Sequence, residues 1–411
     1  MRHLVNIRRA KLFLSTYEKL VNRSSATLMR RYSSNASKES SRDKKPSLHK
    51  HLHAKIKSCG PIPVAEYMKE ALTNPTAGYY MLRDVFGAEG DFITSPEISQ
   101  LFGEMLGIWV LNEWRKISKE NFQLVELGPG RGTLSKDILK VFKQLKALNK
   151  LSLHLVEVSP ALSEIQATKL CTSSKEVTPI LISNSDDRNE KHYREGVTDD
   201  GTHVFWYRSI EHVPKKFSVF IAHEFFDALP IHKFQEDEKR DHVEASPQMM
   251  VIIDYMATFL KECGGFAFIA DYGHTGDKTD TFRAFKKHQQ QDPLVDPGTA
   301  DLTADVDFAM IKKIATKDDR MIAFGPVSQK KFLLDLGIDV RLNMLLHKTT
   351  DADRKDLISG YKMLVDEDKM GKCFKIMSLF PSILKDHLMT WPVIGFIDSK
   401  TNEKLSGDKD K

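Results

Sequence analysis

The chain has 411 residues, 41% of them hydrophobic and 28% charged, enough to bury a real core in one large domain or two ordinary ones. Its four cysteines (Cys59, Cys171, Cys263 and Cys373) stand far apart with no Cys-x-x-Cys pair, which argues against a disulfide framework or a zinc site and for a reducing interior. No apolar stretch is long enough to span a membrane; the best candidates, FSVFIAHEFF and GGFAFIADYG, are strand-sized.

The formal charge of +5 is unevenly spread. Residues 1–32 hold eight Lys and Arg against one acid, Glu18, and without them the chain carries 53 basic and 55 acidic residues, a net of −2. A body so near neutrality lacks the basic footprint of a nucleic-acid binder. The 1–32 segment is Arg-rich and Ser-containing, with Leu12, Phe13, Leu14, Leu20 and Val21 interleaved, the composition of an organellar transit peptide. Within it, RRYSS at 30–34 resembles a mitochondrial processing site, with cleavage after Tyr32.

Residues 33–50 are polar and read as a disordered linker. Helical spacing begins at PIPVAEYMKEAL, and NPTAGYY reads as a turn. A longer helix is expected over SPEISQLFGEMLGIWVLNEW, with Ser95 as N-cap and Pro96 at the first helical position. From Phe122 strands and helices alternate: FQLVEL, TLSKDILKVFKQL, LSLHLVEV, SPALSEIQATKL, a polar excursion over 172–203, FSVFIAHEF, MMVIIDYMATFLKEC and GGFAFIADYG. Helices between buried strands predict an α/β, Rossmann-like fold with a mostly parallel sheet covered on both faces. DLTADVDFAMIKKIA reads as a cap and helix, GPVSQKKFLLDLGI as a turn and helix, and residues 396–411 as a disordered tail.

The stretch LVELGPGRGT at 124–133 places a carboxylate, Glu126, at the end of a strand and just before Gly128, Gly130 and Gly132. Ligands of such sheets sit beyond the carboxyl ends of the strands, and glycines there allow close backbone approach. The spacing is G-x-G-x-G, neither the dinucleotide fingerprint nor a P-loop. Glu126 would repel a pyrophosphate and attract a sulfonium. A second acid, Glu157 in LVEVSP, ends the next strand and is suited to accept both ribose hydroxyls. Together these predict an S-adenosylmethionine site. In AHEFFDALP, His223, Glu224 and Asp227 fall near the same rim. Two carboxylates there could grip a guanidinium and direct one nitrogen, so Glu224 and Asp227 are the candidate catalytic residues and His223 is read as packing. No metal site is expected.

Several blocks resemble the MidA-like proteins: FGAEGDFITSPEISQLFGEMLG, VELGPGRGTL, HLVEVSP, AHEFFDALPIHKF, ADYG, GTADLTADVDF and GPVSQKKFLLDLGIDVRL. Mitochondrial members of that family are arginine methyltransferases and assembly factors of respiratory complex I. The resemblance implies a class I S-adenosylmethionine-dependent methyltransferase fold, with an N-terminal helical cap over 51–120 and the methyltransferase domain over 121–395. It also implies symmetric dimethylation of an arginine on a core peripheral-arm subunit of complex I, in the mitochondrial matrix. Gly128, Gly130 and Gly132 carry over as the cofactor turn and Glu157 as the ribose acid, with Asp91, Thr94, Ser95, Pro96 and Glu97 nearby. The alternative is a non-catalytic assembly chaperone that keeps the cofactor fold. Two departures stand out: His223 replaces the Asn of many bacterial members, and only QEDEKRD separates Phe234 from His242, where the family carries a longer excursion. Such a shortening could distort the sheet edge or remove substrate surface.

Overall fold

The computed structural model describes residues 48–81, 93–177, 192–236, 241–347 and 350–396. The predicted leader (1–32), the linker up to residue 47, Asp91 and the tail from 397 lie outside those residues. The last three positions of the expected linker open helix α1 (Leu48–Cys59). This helix belongs to a first compact unit ending at Cys59; the second unit runs from Gly60 onward.

In the second unit, helices α2 (Val64–Thr73), α3 (Ser95–Ile98) and α4 (Gln100–Ile117) precede the sheet. The single helix expected from Ser95 is broken at Ser99, which is extended and whose hydroxyl accepts from the Leu101 N–H at 3.3 Å. Ser99 rather than Ser95 therefore caps the long helix. Thr94 precedes α3, and the Ser95 N–H is drawn to Glu224 instead.

The chain then alternates through β1 (Phe122–Leu127), α5 (Thr133–Gln144), β2 (Leu151–Val156) and α6 (Pro160–Leu170). Among its described residues the polar excursion holds two short strands, β3 (Ser173–Glu176) and β4 (Arg194–Val197), and leads into β5 (His203–Tyr207). Next come β6 (Ser218–His223), the hairpin β7 (His232–Glu236) and β8 (Asp241–Ala245), α7 (Pro247–Cys263) and β9 (Gly265–His274). Strands β10 (Arg283–Lys286), β11 (Gln289–Gln291) and β12 (Asp301–Thr303) form a small separate sheet. After β13 (Val306–Asp307), α8 (Phe308–Ala315) is capped by Asp307, as its sequence suggests. Strand β14 (Met321–Ser328), where a turn was expected at GPVS, leads to α9 (Gln329–Asp335), α10 (Ile338–Leu346), α11 (Asp351–Val365), α12 (Met370–Cys373), β15 (Phe374–Pro381) and α13 (Lys385–Thr390).

The main sheet runs β14-β15-β9-β6-β1-β2-β5-β4-β3, with β9, β6, β1, β2 and β5 mutually parallel. Antiparallel strands flank this parallel core, β15 beside β9 and β4 beside β5. From β1 the chain moves first toward β2 and later, through β6, to the other side. The crevice between the carboxyl ends of β1 and β6 is thus the point where the winding reverses, the usual ligand position in such sheets.

Period-two alternation sorts β1 between the two faces. Leu124 packs into a cluster with Leu101, Phe102, Met105 and Trp109 of α4 and Leu134 and Ile138 of α5. Val125 and Leu127 join Met256, Phe259 and Leu260 of α7 on the other face. Each such fully buried side chain contributes about 1.5–3 kcal/mol. Glu126 shares the face of Leu124, under α5. A third cluster packs Met68, Ala71 and Leu72 of α2 and Tyr79 against Ala284 and Leu302 of the small sheet, which fixes Tyr80 and Asp301 beside the rim.

Beside the shortening after Phe234, the central strands of the main sheet keep their register. Strands β7 and β8 pair only with each other, Phe234 opposite Val243, while β6 and β9 keep continuous register from Ser218–Gly265 to His223–Ala270. A central parallel pair is insulated from a change in a hairpin that hangs outside it.

Candidate active site

The turn after β1 adopts the left-handed conformations that its glycines allow. Gly128 has φ +62°, and a Cβ there would sit 2.8 Å from Phe225 Cδ2. Gly132, at φ +77°, stands at the N-cap position of α5, where a Cβ would press on Leu170 Cδ1 at 3.2 Å. Gly130 (φ +52°) turns its carbonyl to accept from Gln166 Nε2 at 2.7 Å.

Glu126 is buried and accepts a hydrogen bond from the Ser135 hydroxyl on α5. Burial pushes its carboxyl up to about 7; the Ser135 donors oppose this and Glu157 adds to it. Glu157, just past β2, is also buried. Its Oε1 accepts from the Ser159 N–H at 2.7 Å and its Oε2 from Gln166 Nε2 at 3.0 Å. Burial raises it to about 7 as well. Each oxygen retains a lone pair for a further donor. Gln166 is the residue that sequence reading missed here: it ties the glycine turn to Glu157 and accepts from Trp206 Nε1 at 2.9 Å. Its one sequence signal was a polar residue on the inner face of α6.

Glu224 follows β6 at φ +48°, an uncommon conformation for a side-chain-bearing residue. Its Oε1 accepts from the Ser95 N–H at 3.1 Å, and burial raises its carboxyl to about 8. His223 packs 4.8 Å from the Phe102 ring and is held down to about 3 by burial, so it is neutral. Its Nε2 lies 3.3 Å from Glu224 Oε1 without hydrogen-bond alignment. Asp227 caps no helix. Its Oδ2 accepts from Tyr272 Oη at 2.5 Å and Thr303 Oγ1 at 2.9 Å, while its buried Oδ1 has no partner. Burial raises this carboxyl too.

Two further acids that sequence reading did not assign lie beside this rim. Asp271, fully buried on β9, accepts from the N–H groups of Phe225 (3.2 Å), Phe226 (3.0 Å) and Asp227 (3.3 Å) through one oxygen, holding the Glu224–Asp227 turn. Asp301 on β12 accepts from Tyr80 Oη at 2.6 Å. Both acids lie in blocks already singled out, ADYG and GTADLTADVDF. No Lys or Arg among the described residues makes an ion pair with Glu224 or Asp227; the contact with His223 involves a neutral ring.

The structure therefore brings Glu126, Gly128, Gly130, Gly132 and Glu157 to one end of the crevice. Glu224 and Asp227 stand at the adjoining strand end. Of the N-terminal block, Thr94, Ser95, Pro96 and Glu97 are described. Glu97 meets the Thr133 hydroxyl, and its Oε1 lies 3.6 Å from Lys169 Nζ, so this segment touches both the first turn of α5 and the Glu224 rim.

Known proteins place this architecture. The family model described as "Putative S-adenosyl-L-methionine-dependent methyltransferase" matches residues 105–242 and 235–327, two stretches that meet at the β7–β8 connection. The chain belongs to that family, whose cofactor is S-adenosylmethionine. It is 47% identical over 393 residues to the mitochondrial protein arginine methyltransferase NDUFAF7 homolog of Drosophila melanogaster (85% of this chain, 88% of the relative). Its identity to the human protein arginine methyltransferase NDUFAF7 is 48% over 376 residues (81% and 83%). A Burkholderia thailandensis protein bound to S-adenosyl-homocysteine shares the fold at a TM-score of 0.61 and 22% identity, covering 82% of this chain and 92% of that one.

The residues present fit the cofactor. Left-handed glycines expose the backbone, the N-terminus of α5 points at the crevice, and the two buried carboxylates match a sulfonium and a ribose in charge and donor demand.

Proposed function

We propose that this chain is a mitochondrial protein-arginine ω-N-methyltransferase. Its proposed substrate is an arginine on a core peripheral-arm subunit of respiratory complex I in the matrix, dimethylated symmetrically, with residues 1–32 as the import signal. The activity and location in the names of these relatives support this reading. One structural observation carries it: Glu224, whose side chain is 10% exposed, and buried Asp227 share the turn after β6 with no lysine or arginine in an ion pair with either among the described residues, and one Asp227 oxygen has no hydrogen-bond partner.

In this reading Gly128, Gly130 and Gly132 receive the cofactor backbone, Glu157 accepts the ribose hydroxyls and Glu126 balances the sulfonium. The bound cofactor supplies an electrophilic methyl group. Glu224 and Asp227 grip the guanidinium, aim one nitrogen and offset the positive charge as it attacks. Phe225 beside Gly128 and Phe102 beside His223 put apolar rings next to that path, which favours a dry site.

The test is transfer of label from S-adenosylmethionine to the isolated core subunit, with the product residue identified by mass spectrometry. Symmetric dimethylarginine is the expected product. Tight cofactor binding with no labelled arginine would instead identify a non-catalytic assembly chaperone.

A further inference from the structure

Asp227 is held asymmetrically. Two hydroxyls, Tyr272 Oη at 2.5 Å and Thr303 Oγ1 at 2.9 Å, converge on Oδ2, and these hydroxyls lie 2.6 Å from each other. The Asp227 backbone is pinned as well, its N–H by Asp271 and its carbonyl by the Ala304 N–H at 3.1 Å. The backbone and Oδ2 are thus held, while Oδ1 is buried without an aligned hydrogen-bond partner. A buried polar atom left without a partner is unfavourable, so its retention points to a ligand that pairs with it.

We propose that the Tyr272–Thr303 hydroxyl pair steers Asp227, occupying Oδ2 so that Oδ1 receives the proton released by the acceptor arginine. This deepens, and rests on, the arginine-methyltransferase reading. Attack on the methyl group forms a nitrogen–carbon bond and breaks the carbon–sulfur bond, whose electron pair stays on sulfur. The attacking nitrogen then carries one proton too many, and that proton passes to Oδ1. The products are a methylguanidinium, a neutral thioether and a protonated Asp227, which later returns its proton to solvent.

The surroundings suit this part. Tyr272 is held well above its usual range by burial and by Asp227, Asp301 and Asp271, so it remains a donor at every working pH. Glu224 and Asp271 are close enough to Asp227 for the three carboxyls to raise one another, and Tyr80 is raised by burial and by Asp301 and Asp227. The cation that acts on Asp227 is Arg283, which stacks 5.1 Å from the Tyr272 ring and pairs with Asp305 at 2.6 Å. The two hydroxyls are therefore the strongest local donors that favour ionised Asp227, ahead of the Ala228 N–H and the Arg283 charge.

Tyr272→Phe keeps the ring that packs 5.3 Å from Phe374, and Thr303→Val keeps the branched shape, so both preserve the packing. In the full chain with S-adenosylhomocysteine bound, the carbon-13 carboxyl titration of Asp227, assigned by its loss in Asp227→Asn, is expected to move up by about one pH unit in each variant. Single-turnover methyl transfer to an arginine peptide should slow about tenfold at neutral pH, its acid limb moving in step with the titration. S-adenosylhomocysteine affinity should stay unchanged. An unmoved Asp227 titration, or an acid limb that ignores it, overturns the steering role while leaving the arginine reading intact. A wild-type chain that methylates no arginine at any pH defeats the substrate reading itself and the proton-acceptor role with it.

Discussion

The backbone N–H of Ser95 donates to Glu224 Oε1 at 3.1 Å, joining positions 129 residues apart. Through it the segment ahead of α4 is tied to the turn after β6. Ser95 cannot leave without stripping a donor from a largely buried carboxylate, so the N-terminal segment and the Glu224 turn are coupled.

Glu224→Gln separates charge from shape. The amide oxygen can still accept from Ser95, so the fold and the glycine turn should persist. Turnover is expected to fall at least about tenfold, with S-adenosylhomocysteine affinity by calorimetry within about twofold of wild type. Full turnover would return Glu224 to a purely structural role.

Gly128→Val places a β-branched side chain at φ +62° and drives its Cβ toward Phe225 Cδ2, 2.8 Å away. The turn must then open or Phe225 must move into the cofactor crevice. Loss of detectable S-adenosylmethionine binding is expected from a chain whose circular dichroism remains folded; native affinity would refute the placement of the cofactor on this turn.

Gln166→Leu removes the donor shared by Gly130 and Glu157 and orphans the Trp206 N–H. Each lost partner costs about 1–3 kcal/mol. Reduced thermal stability and a cofactor affinity weakened about tenfold or more are expected together. A stability loss with unchanged affinity would confine Gln166 to packing.

Buried carboxylates also set a pH signature. Glu126 and Glu157 sit at about 7 and Glu224 at about 8, all above the unfolded value near 4.3. The folded chain binds more protons than the unfolded one across that interval, so stability present at low pH is lost as pH rises through those values. His154 and His223, held down to about 3, act in the opposite sense below about 6.5. The clean window therefore runs from about pH 6.5 to 8. There the melting temperature of the cofactor-free chain should fall, while affinity for the sulfonium cofactor rises as Glu126 ionises. A melting temperature that climbs across this window would contradict the burial of these acids.

Much of the site could be read in the chain because its first half is local. Glu126 with its turn, and Glu157, each directly follow a strand whose apolar run is plain. The strand end announces the rim. Strand β3 escaped because all four of its residues are exposed, leaving no hydrophobic pattern to detect. Strand β14 was mistaken for a turn because Gly325 and Pro326 interrupt it, at the point where its register with β15 shifts. The separate start of α4 was hidden by two serines of equal capping ability; the pull of Glu224 on Ser95 decided between them.

The order of apolar runs, glycines and acids along the chain determined by itself a wound α/β sheet, a phosphate-free cofactor turn and the acids at the ends of its first strands. Those features depend on residues within a few positions of one another. Only tertiary structure set Asp271 beneath the Glu224–Asp227 turn, brought Tyr272 and Thr303 onto one oxygen of Asp227, and placed Gln166 between Gly130 and Glu157. Such pairings arise from strand order and helix packing, where residues far apart in sequence meet because their apolar neighbours are buried together.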